Sequence, residues 1–321
     1  MRPDYAEHLV SPQRSALLQV HFCVLLWGFT AILGKLISLP AIALVSWRML
    51  VVALCLLPLP RVIRALRALP PRLIAAYAGI GVLVALHWLT FYGAIKLANA
   101  SVAATCIALA PAFLAFIEPL LNRSRINRLE VLLGVLMVPG VALVVGGIPD
   151  SMQPGLWLGV LSALLVALFG SLNKRLVEHA DALTVTGIEL GSGALFLIVF
   201  ATLLPGSPSP LPIPDMRDIG LLALLAFGCT LLPFVLCLHA LRQMSAFSAQ
   251  LAVNLEPVYA ILLAIPLLGE QQELGWRFYL GVVVILLLVF AHPLLSRGSA
   301  QRPAPELLAT AEAHGLGDES R

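Results

Sequence analysis

Ala94–Pro111 reads AIKLANASVAATCIALAP and Ala240–Pro257 reads ALRQMSAFSAQLAVNLEP, and the two stretches lie over each other without a gap. Ala94, Ala100, Ala103, Leu109 and Pro111 recur as Ala240, Ala246, Ala249, Leu255 and Pro257. Lys96 meets Arg242, and just beyond the match Phe113 meets a second aromatic residue, Tyr259. In a chain rich in Ala and Leu these identities take their meaning from where the two copies fall along the chain.

The chain is written for lipid. Hydrophobic residues make up 60% of its 321 positions, charged residues 12%, and the mean hydropathy is +0.96, far from the balance of a soluble domain. Apolar runs near the roughly 20 residues needed to cross a bilayer follow one another with short polar breaks. Ten are expected: 17–37, 40–58, 73–95, 100–121, 129–147, 156–173, 182–204, 219–241, 246–268 and 275–295. No alternating polar and apolar pattern suggests a membrane barrel, so the runs are read as helices, which satisfy their own backbone polar groups in lipid. Residues 1–15 carry Arg2, Asp4, Glu7 and Arg14 without a small-residue cleavage site, so the first run is expected to stay as a helix. Residues 296–321 have too few apolar side chains to pack and are expected to form a disordered cytoplasmic tail.

Lys and Arg orient the runs. With the amino terminus inside, the cytoplasmic loops hold Arg61, Arg64, Arg67 and Arg72; Arg123, Arg125 and Arg128; Lys174 and Arg175; and Arg242. Arg2, Arg14, Arg297, Arg302 and Arg321 in the two ends add to that side, against Lys35, Lys96, Arg217 and Arg277 on the other. The positive-inside rule therefore puts both termini in the cytoplasm. The net charge of +3 then describes topology, and no nucleic-acid partner is expected.

Topology turns the repeat into an inversion. The matched stretches cover the end of run 3 with run 4, and the end of run 8 with run 9; an offset of five crossings reverses the direction of the second copy. The fold class expected is an all-α polytopic membrane protein whose ten transmembrane helices form a 5+5 inverted repeat. Its first repeat spans 16–147 and its second 148–295. Such pseudo-symmetry suits secondary transporters, because two nearly equivalent halves give inward- and outward-open states of similar energy. Small-residue stripes, Ala100, Ala104, Ala108, Ala112 and Ala115 in run 4 and Ala249, Ala252, Ala260 and Ala264 in run 9, allow close helix packing. Pro111 and Pro257 each remove a backbone hydrogen bond and are candidate hinges, or else static kinks.

Leu25-Leu-Trp-Gly28, Ser46-Trp-Arg48 and above all Asn254-Leu-Glu-Pro-Val-Tyr259 followed by Leu267-Leu-Gly-Glu270 resemble the EamA-like family of the drug/metabolite transporter superfamily. The resemblance covers roughly 16–295. It implies a ten-helix inverted-repeat transporter of small metabolites, often an exporter of amino acids or related compounds, that works without ATP. One departure stands out: where the second repeat has Glu256 the first has Ala110, and the first lacks a Gly-Glu at the end of run 4, having Glu118-Pro119 earlier instead.

A charged group at bilayer depth needs a cavity or a partner, since it costs at least about 2.5–3.5 kcal/mol on insertion scales. Glu256, one residue before Pro257, is the candidate to bind a proton or a substrate amine, or else is a structural acid. Arg48 and Glu189 occupy corresponding places of opposite charge, read as a fixed ion pair or as separate anchors; alternatively Arg48 holds a substrate carboxylate with its forked donors. Trp27 and His87 are candidate cavity-lining residues, as are Asn254 and Tyr259 beside Glu256. His87 and Trp88 point about 100° apart on a helix, so at most one is expected to face the centre squarely. Tyr92 is read as an interface marker near the outer end. Asn254 and Glu256 differ by about 200° around their helix and share a face only if Pro257 distorts the turn.

Cys23, Cys55, Cys106, Cys229 and Cys237 fall in apolar runs without metal or disulfide spacing. There is no GxxxxGK[ST], HExxH or GxSxG, so no metal, cofactor or enzymatic activity is expected. The expectation is a multi-pass inner (plasma) membrane secondary transporter exporting a small metabolite, with proton coupling through Glu256 as an option. Its partners would be that small molecule, membrane lipid and, as an arrangement left open, a second copy of the chain. The alternative is a non-transporting membrane protein that handles lipid or acts as an interaction scaffold.

Overall fold

The computed structural model describes residues 12–122, 125–244, 249, 252–253 and 255–296, and among these there is no strand. Helices α1 (Pro12–Leu36), α2 (Ala41–Leu56), α3 (Pro60–Ala68), α4 (Pro71–Leu97), α5 (Ala100–Ile107), α6 (Ala110–Asn122) and α7 (Arg128–Val145) make up the first half. The second half contains α8 (Gln153–Leu176), α9 (Ala182–Leu203), α10 (Met216–Ala223), a π-helical stretch Leu224–Leu231, α11 (Leu232–Leu241), α12 (Glu256–Leu268) and α13 (Trp276–Ser296). Among the described residues, seven helical stretches are long and apolar enough to cross a membrane, or eight if α2 and α3 count as one span bent by 90°. The apolar helices Glu256–Leu268 and Trp276–Leu288 are shorter. The expected tail 296–321 and segment 1–15 lie almost wholly outside the described residues.

Local chemistry sets the breaks. Pro60 starts α3 and Pro70-Pro71 starts α4, because proline supplies a fixed φ and needs no helical N–H donor at a first turn. Run 4 is divided: α5 ends at Ile107, Ala108 and Leu109 turn, and α6 restarts at Ala110 with Pro111 in its first turn. Pro257 likewise sits in the first turn of α12. Both prolines thus open a helix rather than kink a continuous one. Side-chain caps hold other ends: Asn99 accepts from Val102 N at 2.9 Å and Asp215 from Asp218 N at 2.7 Å, each satisfying a donor the helix leaves unpaired. Gly269 ends α12 with φ 70°, a left-handed conformation that suits glycine.

The α5–α6 span is central: 78% of the most apolar window of Ala100–Leu121 is buried, against 22% for Arg128–Val145. One large core joins α1, α2, α4, α9 and α11, and a second joins α5, α7, α8 and α13. Glycines let backbones meet. A Cβ on Gly281 of α13 would lie 2.6 Å from Gly140 O of α7, and one on Gly28 of α1 would lie 2.7 Å from Tyr259 Cβ of α12. In lipid, where no hydrophobic force drives helices together, this close van der Waals contact supplies much of the association.

On the face expected to be outside, the halves are joined by carboxylates of the second gripping the first. Asp218 accepts from Ser38 N at 3.1 Å and from Ser38 Oγ at 2.6 Å. Glu270 accepts from Ala100 N and Ser101 N, each at 2.9 Å, and from Ser101 Oγ at 2.6 Å. Glu273 accepts from Asn99 Nδ2 at 3.0 Å. At the opposite face, among the described residues, Tyr77 donates to Leu176 O at 2.9 Å, Arg175 to Leu121 O at 3.3 Å, and Arg61 lies 3.8 Å from Asp181.

Candidate functional site

A cavity of about 120 Å³ lies between the halves. Its wall is aromatic and apolar, from Trp27, Trp88, Phe91, Phe169 and Phe234, and is interrupted by Thr30, Arg48, His87, Asn173, Thr230 and Glu256.

Arg48 on α2 is 2% exposed and its partners come from two other elements. Its Nη1 donates to Tyr92 Oη of α4 at 2.7 Å, its Nη2 to Cys229 O at 3.2 Å, and its Nε to Thr230 Oγ1. The guanidinium carbon sits 3.8 Å from the Trp88 ring centroid, a stacking that suits its planar, weakly hydrated cation. The acceptors on Cys229 and Thr230 both lie in the π-helical stretch, just ahead of Pro233. Thr230 Oγ1 meanwhile donates to Leu225 O at 2.6 Å. Irregular helical turns of this kind recur at functional sites. A Cβ on Gly34 of α1 would collide with the Tyr92 ring, so glycine there makes room for the arginine's partner.

Glu256 is the first residue of α12, is 7% exposed, and lines the same cavity. Among the described residues it makes no hydrogen bond and no ion pair, so it faces Arg48 without touching it. Its place at a helix N-terminus favours negative charge. His87 also lines the cavity; its Nδ1 meets Ser162 O at 3.0 Å and Ser162 Oγ at 2.8 Å, which fixes the ring. The centroid of Phe169 is 5.3 Å from that of His87.

Trp27, Arg48, His87 and Glu256 therefore come together at one cavity. Tyr259 does not line it; it is half-buried with its Cβ against Gly28. Asn254 lies outside the described residues. Three expectations are corrected. Arg48 and Glu189 form no ion pair, because Arg48 is taken by Tyr92, Thr230 and Cys229 O while Glu189 receives a hydrogen bond from Asn173 at 3.3 Å. His87 and Trp88 both line the cavity, since α4 runs along a wall wide enough for side chains 100° apart. Tyr92 is fully buried as a partner of Arg48 and is no interface marker. Sequence reading also missed Thr230, Asn173 and the π-helical stretch; the one available signal was Thr230 three residues before Pro233.

No curated protein matches the chain by sequence. Among solved structures, a crystal structure of a protein aligns with a TM-score of 0.62 at 17% identity, over 89% of this chain and 99% of that one; this likeness speaks to the fold alone. The model of the EamA-like transporter family matches twice, at residues 14–146 and 153–291. With two family repeats covering nearly all the apolar helices, the chain is a multi-pass membrane protein that belongs to the EamA-like transporter family.

Proposed function

We propose that this protein is a secondary transporter that carries a small, charged or zwitterionic metabolite through the cavity between its halves. The observation that carries the reading is that Arg48 and Glu256 line one aromatic-walled cavity with no bond between them. An anionic group would meet the two N–H groups that Arg48 has not committed, and an amine or a proton would meet the Glu256 carboxylate. Trp27, Trp88 and Phe169 would cover an apolar body. The ten apolar runs would cross the inner membrane as 5+5 inverted repeats, divided as 16–147 and 148–295, with both termini cytoplasmic. Export is the direction in keeping with the family resemblance, and a homodimer is compatible with the exposed apolar faces of α7 and α13.

The outer face carries several carboxylate joins between the halves, whereas the cavity wall continues to Asn173, Leu238 and Leu241 near the expected inner end. This conformation is accordingly read as the one open toward the cytoplasm. Pro111 and Pro257, each opening a helix beside the cavity, are the proposed hinges.

Untargeted comparison of metabolites inside and outside cells with and without the protein, followed by proteoliposome uptake of the hits, tests the proposal. At least one metabolite should depend on the protein, and Arg48→Gln and Glu256→Gln should both abolish its movement. Uptake unaltered by both substitutions would place the pathway elsewhere.

A further inference from the structure

A second polar nest lies beyond the cavity wall and toward the expected inner end. Glu189 on α9 and Asn173 on α8 are 0% and 3% exposed. They share one long hydrogen bond, Asn173 Nδ2 to Glu189 Oε2 at 3.3 Å, and each keeps a buried oxygen with no partner among the described residues, Glu189 Oε1 and Asn173 Oδ1. Asn173 lines the central cavity and also a smaller pocket shared with Tyr77 and Arg242, so a single side chain stands between Glu189 and the cavity. Helices α4 and α9 approach closely here: a Cβ on Gly81 of α4 would collide with Glu189 O, and one on Gly193 of α9 would lie 2.7 Å from Gly81 O.

Among the described residues no cation pairs with this carboxyl group. On α2, Arg48 is bound to Tyr92, Thr230 and Cys229 O. On α3, Arg61 lies 3.8 Å from Asp181 and Arg64 donates to Pro60 O, while Arg67 is exposed. On α4, Tyr77 donates to Leu176 O and His87 is held by Ser162. On α8, Lys174 donates to Leu241 O at 2.6 Å; around α11, His239 is bonded to Val235 O and Arg242 donates to Ala180 O at 2.8 Å. An ionised carboxylate buried without a cation is a costly arrangement. Glu189 Oε1 and Asn173 Oδ1 are both acceptors, and neither can donate to the other. A proton on Glu189 turns one acceptor into a donor and removes the charge together.

We propose that Glu189 is a proton-binding site of this protein, separate from the Arg48–Glu256 cavity, with Asn173 as the positioning residue that links it to that cavity. Loss of the Glu189 proton to cavity water would leave a carboxylate for which Arg242, whose Nε is buried without a partner, is a cation on the neighbouring pocket wall. The use of this proton in transport rests on the transporter reading above; its presence does not.

Infrared difference spectroscopy on the reconstituted protein, perfused with buffers of rising pH in H₂O and D₂O, tests the site without any substrate. Wild type should show a carboxylic acid carbonyl band that shifts in D₂O and is lost reversibly at high pH. Glu189→Gln should lose that band and Glu256→Gln should keep it. Asn173→Leu, which leaves the carboxyl in place, should change the pH at which the band is lost and serves where Glu189→Gln fails to fold. The inference is overturned if the band survives in Glu189→Gln, if Asn173→Leu leaves its pH dependence unchanged, or if sodium at fixed pH abolishes it, which would make the nest a sodium site. Because the readout needs no transported metabolite, its failure is distinct from failure of the transporter reading.

Discussion

The Glu270 carboxylate grips the start of α5, taking Ser101 N at 2.9 Å and Ser101 Oγ at 2.6 Å while its other oxygen takes Ala100 N at 2.9 Å. It is 1% exposed, so the acid that closes the Leu-Gly-Glu motif is a cap donated across the two halves. Laid over the first half with the spacing of the opening match, its counterpart is Ser124, which carries no charge. The two copies thus differ in charge at this position. Glu270→Ala leaves two buried N–H groups and a hydroxyl without their anion, and charge-assisted bonds are worth about 1.5–3 kcal/mol each. We expect thermal stability in detergent to fall by about 3 kcal/mol, and Ser101→Ala to cost about half as much. Equal melting of Glu270→Ala and wild type would show that the cap carries no weight.

The Arg48 site yields a second expectation through Tyr92. Tyr92→Phe keeps the ring that fills the space beside Gly34 but removes the acceptor for Nη1. A buried guanidinium N–H left bare costs about 1.5–3 kcal/mol, unless a ligand anion takes the place of the hydroxyl. Thermal stability should accordingly drop in the empty protein and recover in part when the transported metabolite is added. Arg48→Lys loses the fork and the stack on Trp88 together and should cost about 3 kcal/mol with no recovery. A lysine variant that melts and transports like wild type would remove Arg48 from the site.

These two expectations also mark where sequence reading stops. Apolar run length located the helices, since burial in lipid demands it, and Glu256, Arg48, Trp27 and His87 were found because charge and aromatic bulk in such runs need a reason. Tyr92 was misread because its depth alone resembled that of an interface residue; only the Arg48 contact separates the two roles. Helix α3 was read as a loop, since nine residues between prolines with Arg61, Arg64 and Arg67 are too short and too charged to register as an apolar run. The Cys229 carbonyl could not be found from residue types at all, because it is a backbone group in a π-helical turn.

Two glycines on opposite sides of the same question give a third prediction. Gly81 is where α4 and α9 touch, and a methyl there collides with Glu189 O, a backbone atom that moves only with its helix. Gly81→Ala should cost about 1–3 kcal/mol as overpacking. Gly170 lines the cavity and a Cβ there meets nothing within 4 Å. Gly170→Leu should leave stability within about 0.5 kcal/mol of wild type while cutting uptake on the order of tenfold, equivalent to about 1.4 kcal/mol of lost binding. Wild-type uptake by a well-folded Gly170→Leu protein would argue that the substrate does not enter this cavity.

The chain carries its own probe for the direction in which the cavity opens. Cys237 lines the cavity and is half-buried, Cys23, Cys106 and Cys229 are buried, and Cys55 is exposed on α2. In a Cys55→Ser background, a membrane-impermeant maleimide can therefore reach one cysteine of the cavity, and it does so only from the side on which the cavity is open. In the proposed orientation the carboxylates of Asp218, Glu270 and Glu273 join the halves at the outer face, so Cys237 should label in inside-out vesicles and be protected in right-side-out ones. Glu270→Gln replaces the anion by a neutral amide that still occupies the space, so it weakens the outer closure without opening a hole. It should raise labelling from outside at the expense of labelling from inside, because two states of similar energy exchange population when one loses a contact. Labelling of Cys237 from outside in the unaltered protein would reverse the assignment of faces. Equal labelling from both sides, unmoved by Glu270→Gln, would mean that the joins between Glu270 and α5 gate nothing.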